Sequence, residues 1–205
     1  MFAGLSTSFG RPRPVEQIDD APPAGQAPAP LTRKSDAKKL AFIRDADEVI
    51  ACLPGPGEQL HALMTGRYDL TDLIGRTLAN IGQPVEMLIA TLSYNGRNLG
   101  HMTDWLDTGQ VTTLGLVCSK FFREHNKELY EETREEFQAR GARLACPRSH
   151  AKVVTLHAPS AGLKMVFEGS ANLRTNSNQE QIAILNCEKL HDWHAQWIDR
   201  LLSEA

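Results

Sequence analysis

Between Ser149 and Gln181 the chain gathers the side-chain types that phosphate chemistry needs. His150 and Lys152 stand two apart at the head of one apolar run, and Ser170 and Asn172 stand two apart after a second. A free histidine titrates near pH ~6.5, so at neutral pH it serves as a nucleophile or as an acid–base group. Lysine is a fixed cation, and Ser and Asn are neutral hydrogen-bond donors; together they can hold the charge that builds on phosphoryl oxygens.

The elements that must position these groups are legible around them. His150–Leu156 (HAKVVTL) is rich in Val and Thr and reads as a strand, on which period-two alternation sends His150 and Lys152 the same way. A polar loop with Pro159 and Gly162 follows, and then a second apolar run, Leu163–Phe167, so the pair predicts a hairpin. The second strand runs out into Glu168-Gly169-Ser170-Ala171-Asn172.

The set His150-x-Lys152, Gly169-Ser170-x-Asn172 and a following Glu180 resembles the phospholipase D superfamily. The likeness covers the motif closely and, more loosely, the α/β pattern from about residue 57 to the end. The superfamily's pattern carries an aspartate where this chain has His157, although some of its phosphodiesterases and nucleases lack that aspartate too. The resemblance implies catalysis by His150, Lys152 and Glu180, with Ser170, Asn172 and Arg174 on the substrate phosphate and no metal or other cofactor. One histidine attacks phosphorus to give a phosphohistidine; a second protonates the leaving oxygen and later activates water. Glu180 would orient a histidine ring through its other nitrogen. The chain has one H-x-K set and no internal repeat, so the second histidine is expected from a twofold partner, His150 facing His150.

Length and composition set bounds. The 205 residues suffice for one well-buried domain with some left over, and the 41% hydrophobic and 23% charged content is ordinary for a soluble protein. No apolar run is long enough to span a bilayer, and the N-terminus lacks a secretory pattern, so the expected location is cytoplasmic, with no membrane partner. The formal net charge of −3 excludes a chain that coats nucleic acid along its whole surface. From Arg148 to Thr175, however, Arg148, Lys152, Lys164 and Arg174 face one acid, Glu168, a local excess suited to an anionic ligand. Cys52, Cys118, Cys146 and Cys187 are scattered and read as buried free thiols.

Residues 1–35 are Pro- and Ala-rich and are expected to form a disordered arm, leaving 36–205 as a single α/β domain. A helix followed by a short strand is expected within 35–53, and a short helix or strand within 58–64. Helices are expected over 69–81 (with Asp69 as N-cap and Gly82 as stop), 100–106, 126–139 and 190–202; strands over 85–92, 111–117, 143–146 and 181–185. This order predicts a mixed β-sheet flanked by helices on both faces, a phospholipase D-like half-unit. Sites in such sheets form where the chain leaves strand ends, so Ser93–Asn95 and Ser119–Phe122 are expected to line the cleft that holds His150. Asn176 and Asn178 read as shaping the loop before the last strand. Phe121, Phe122, Trp193 and Trp197 read as packing, although aromatics near a cleft, such as Phe121 and Phe122, can stack on bases; His191 and His194 read as helix-surface or satisfied core residues rather than metal ligands.

Three functions from different classes fit. The first is a metal-independent endonuclease acting on nucleic acid, DNA ahead of RNA, as a homodimer sharing one site. The others are a lipid phosphodiesterase and a non-catalytic module that binds nucleic acid or a partner with the same pocket.

Overall fold

Leu70, Leu73, Ile74 and Leu78 recur at helical spacing, and the chain folds there into helix α1 (Leu70–Ile81) with those four residues buried. Asp69 caps it by accepting from the Asp72 amide at 2.9 Å, and Asp72 returns the bond to the Asp69 amide at 3.0 Å. Gly82, at φ 64°, closes the helix. This is a computed structural model, and it describes residues 39–42, 53–64, 69–174 and 179–205. The expected arm at 1–35, Cys52, Asn176 and Asn178 lie outside the described residues.

The strands are β1 (Lys39–Phe42), β2 (Gln59–Met64), β3 (Val85–Ala90), β4 (Val111–Val117), β5 (Arg143–Ala145), β6 (Val153–Ala158), β7 (Leu163–Gly169) and β8 (Glu180–Asn186). They form one mixed sheet in the order β1-β2-β8-β7-β6-β3-β4-β5. The β3-β4-β5 part is parallel, and β3-β6-β7-β8-β2 is antiparallel throughout. Helices α2 (Gly96–Asp107), α3 (Lys120–His125), α4 (Lys127–Ala139) and α5 (Glu188–Ser203) complete the described elements.

Helices cover both faces, as the element order predicts. On one face α1 and α2 join Phe122 and Phe137 over Val85, Met87, Ile89, Leu114, Leu116, Val154 and Leu156. On the other, Ile198 and Leu202 of α5 pack on Ala90, Val117, Val153 and Val166. Alternation along β6 divides its side chains between these layers, so Val153 and His157 lie on the α5 side.

The topology sorts the two rims of the sheet. The parallel β3, β4 and β5 end at one rim, β6 and β8 start there, and β7 ends there. At the opposite rim lie the turns at Gly57, Gly82, Gly109, Gly141 and Gly162, every one with φ between 60° and 77°.

Several boundaries differ from the sequence reading. The strand carrying the motif begins at Val153, so His150 and Lys152 belong to its lead-in rather than to the strand itself. The second helix starts at Gly96, because Asn95 and Asn98 form a reciprocal cap at its head. Helix α3 was not foreseen; Ser119 caps it, accepting from the Phe122 amide at 2.9 Å. No helix among the described residues is long and apolar enough to cross a membrane.

Candidate active site

His150 sits on the connection that leaves β5 and returns to start β6. That segment crosses the ends of β4 and β3, because β6 pairs with β3 and not with β5. It is pinned along its course. The Lys120 amide donates to the Pro147 carbonyl at 2.8 Å, and the Gly169 amide reaches the Lys152 carbonyl at 3.4 Å. The two motif side chains meet directly: Lys152 Nζ lies 3.1 Å from His150 Nδ1 and 3.2 Å from the His150 carbonyl. An ammonium can only donate, so Nδ1 is the acceptor in this contact.

Gly169 ends β7 against β8 so closely that a Cβ there would fall 2.2 Å from the Gln181 carbonyl oxygen. This contact explains the glycine: no side chain fits between the two backbones. Next to it, the Ser170 amide donates to the Gln181 carbonyl at 3.0 Å, and Ser170 Oγ accepts from the Gln181 amide at 3.0 Å. Ser170 Oγ donates to Glu180. The same carboxylate acts on Lys152: burial pushes the Lys152 ammonium below its ordinary pKa, and the charge of Glu180 pulls it back up. Lys152, Ser170 and Glu180 therefore share one electrostatic site, with His150 attached through Lys152.

Leu173, fully buried, anchors the strip after Ser170. Its amide reaches Thr91 Oγ1 at 3.4 Å, and its carbonyl accepts from Asn98 Nδ2 at 3.4 Å. This anchor fixes the half-buried Asn172, whose Oδ1 is buried without a hydrogen-bond partner among the described residues, and leaves Arg174 exposed.

A groove of about 500 Å³ opens beside His150, lined by Leu92, Lys120, Phe121, Arg148 and His150 together with two serines. The segment after β4 thus reaches the groove. The segment after β3 contributes Leu92 instead of the expected Ser93–Asn95. Tyr94 is buried and donates to Thr133 Oγ1 at 2.7 Å, and Asn95 is committed to capping α2. Of the two phenylalanines read as packing, Phe122 is buried and Phe121 is not.

Other polar groups fall elsewhere. Lys164, second residue of β7, lies at the opposite rim, 2.8 Å from Asp192 and 3.2 Å from Glu188, so it adds nothing to the positive character near His150. His157 lies toward that far rim too, with Nδ1 3.0 Å from Glu86. His191 and His194 are buried and paired, the first with Asp192 at 2.9 Å and the second with Glu168 at 3.1 Å. Cys118 and Cys187 are buried free thiols, while Cys146 is free and half-buried. Burial pushes the Cys118 thiol up to about 12.

No family model matches the sequence, and no curated protein matches it. Solved structures with a similar fold include Nuc, a phospholipase D family member from Salmonella typhimurium. It is 15% identical, with a TM-score of 0.42, over 58% of this chain and 77% of that one. TrmBL2, an archaeal chromatin protein described with a mode of DNA binding, is 13% identical with a TM-score of 0.47, over 71% of this chain and 53% of its own. The polyphosphate kinase of Porphyromonas gingivalis is 15% identical with a TM-score of 0.49, over 82% of this chain and 26% of its own. At these scores none of the likenesses identifies an activity.

Proposed function

We propose that this chain is a metal-independent phosphodiesterase acting on nucleic acid, an endonuclease of phospholipase D type, with DNA ahead of RNA as substrate. The observation that carries this reading is the 3.1 Å approach of Lys152 Nζ to His150 Nδ1. It occurs at a rim that also presents Ser170, Glu180 and an unmet Asn172 amide oxygen. A histidine, a cation and the hydrogen-bonding side chains of Ser170 and Asn172 converge there on one open edge.

The chemistry follows from the charges. An incoming phosphate draws the Lys152 ammonium onto one of its oxygens. Nδ1, released from Lys152, can then carry the ring proton, which leaves the Nε2 lone pair to attack. The new N–P bond forms as the P–O bond to the leaving alkoxide breaks. His150 of a second copy, as an imidazolium, gives its proton to that oxygen and becomes neutral; it then takes a proton from water, whose oxygen attacks phosphorus as the P–N bond breaks and frees the first histidine. Ser170, Asn172 and Arg174 hold the substrate phosphate, and Lys152 stabilises the charge developing on it. Glu180, close to Lys152, keeps the ammonium protonated.

The test is cleavage of end-labelled single- and double-stranded DNA and RNA in EDTA by wild type and by His150→Ala. Cleavage by the wild type alone supports the proposal. Cleavage by neither, with both proteins folded, overturns it; phosphatidylcholine and cardiolipin vesicles then test the lipid reading. A non-catalytic nucleic-acid-binding module is the second reading. It is favoured by the place of His157, paired with Glu86 and remote from His150 where the superfamily's pattern has an aspartate.

A further inference from the structure

We propose that the groove beside His150 seats an unstacked nucleobase on Phe121, so that the strand delivered to the site is single-stranded there. This inference rests on the nucleic-acid reading and adds the form of the substrate. Phe121 is 59% exposed, the one large apolar side chain among the described residues to stand in solvent. Leaving such a ring exposed forgoes part of the stabilisation that burying it would bring. The ring is nonetheless held in place. It lies on His125 with centroids 4.0 Å apart, and His125 Nδ1 donates to the Phe121 carbonyl at 2.8 Å. Phe122, the next residue, is 1% exposed and fastens α3 to the core.

The rest of the groove completes the match. Arg148 has no ion-pair partner among the described residues, and Lys120 reaches Glu124 only at 3.9 Å, an exposed pair of little strength. Both cations are available to phosphates. The serine hydroxyls are already engaged: Ser119 donates to the Leu92 carbonyl at 2.8 Å, and Ser149 accepts from the Ala151 amide at 3.3 Å. A flat apolar face with two cations and few spare hydrogen-bonding groups suits stacking without sequence reading. In a duplex the faces of the bases are covered by their neighbours, so only an unpaired or flipped base reaches such a ring.

The experiment is fluorescence anisotropy with the full chain carrying His150→Ala, to prevent turnover. The probes are a short labelled DNA strand, its duplex, and the same strand with abasic positions. Adding Phe121→Ala is expected to weaken binding of the base-bearing strand by roughly 5- to 100-fold, the range alanine substitution gives for one stacked base. The abasic strand loses nothing, and Phe121→Trp keeps full binding. Lys120→Ala or Arg148→Ala weakens base-bearing and abasic strands alike and lowers the salt dependence by about one counterion each. Equal loss on base-bearing and abasic strands overturns the inference, as does duplex binding as tight as single-strand binding. So does competition by poly-glutamate that depends equally on Phe121. Absence of binding to every nucleic acid, with Phe121 intact, would instead overturn the nucleic-acid reading itself.

Discussion

Lys152 Nζ stands 3.1 Å from His150 Nδ1, so the proposed nucleophile and the proposed phosphate clamp hold each other until substrate separates them. Replacing Lys152 by Met frees the ring but removes the cation that meets the developing charge. The expected loss in kcat is about 10²- to 10³-fold, typical of deleting one such donor. Wild type quenched in alkaline detergent after mixing with labelled substrate should carry phosphorus on histidine, and His150→Ala none. A Lys152→Met enzyme with full kcat would remove the cation from the mechanism.

Glu180→Gln preserves a hydrogen-bond acceptor for Ser170 but deletes a charge. Burial already holds Lys152 below its ordinary pKa, and the carboxylate opposes that shift. Without it, Lys152 loses its proton at still lower pH. The alkaline limb of kcat/KM is therefore expected to move to lower pH in Glu180→Gln and to return in Glu180→Asp. A limb that stays put in both variants would show that Lys152 does not feel Glu180.

Gly169→Ala forces a methyl group to within 2.2 Å of the Gln181 carbonyl oxygen, a backbone atom that cannot step aside. Overpacking of this kind costs typically about 1–3 kcal/mol, here by parting β7 from β8. Urea denaturation should show the loss. The same movement draws Ser170 from Glu180, so activity should fall in conditions where the variant is still folded.

His191 connects stability to pH. Burial pushes its pKa below the ordinary 6.5, against the pull of Asp192, while Lys164 and the ring of His157 add to the downward shift. Below pH 6.5 the unfolded chain therefore binds a proton that the folded chain resists, and stability falls as the pH drops toward the lowered folded value. His191→Gln should flatten the stability slope on the acid side of 6.5, measured by urea midpoints, with little change in slope above it.

The fold was largely legible because local signals agreed with the global pattern. Asp69 and Gly82 bracket α1, and the Val- and Leu-rich runs of β3 and β4 can only be buried strands. The hairpin that carries the motif followed from two apolar runs around Pro159 and Gly162. What escaped was tertiary. The charge count near the motif placed Lys164 with Lys152, yet the hairpin carries Lys164 to the opposite rim, where Asp192 and Glu188 occupy it. Phe121 and Phe122 look alike in sequence; a single turn of α3, unannounced by any long periodic pattern, sends one to the core and the other to solvent. Asn95 could equally have been a cleft donor or a helix cap, and only Asn98 three residues on decides for the cap.

Among the described residues, the five left-handed glycines stand at the rim away from His150, which makes that rim the place for engineering. A fluorophore, an affinity tag or an inserted domain joined near Gly109 or Gly162 would project from the side opposite the working edge. Immobilised by that side on a surface, the protein would present His150, Phe121 and Ser170 outward, open to a passing polymer and to a second copy tethered the same way.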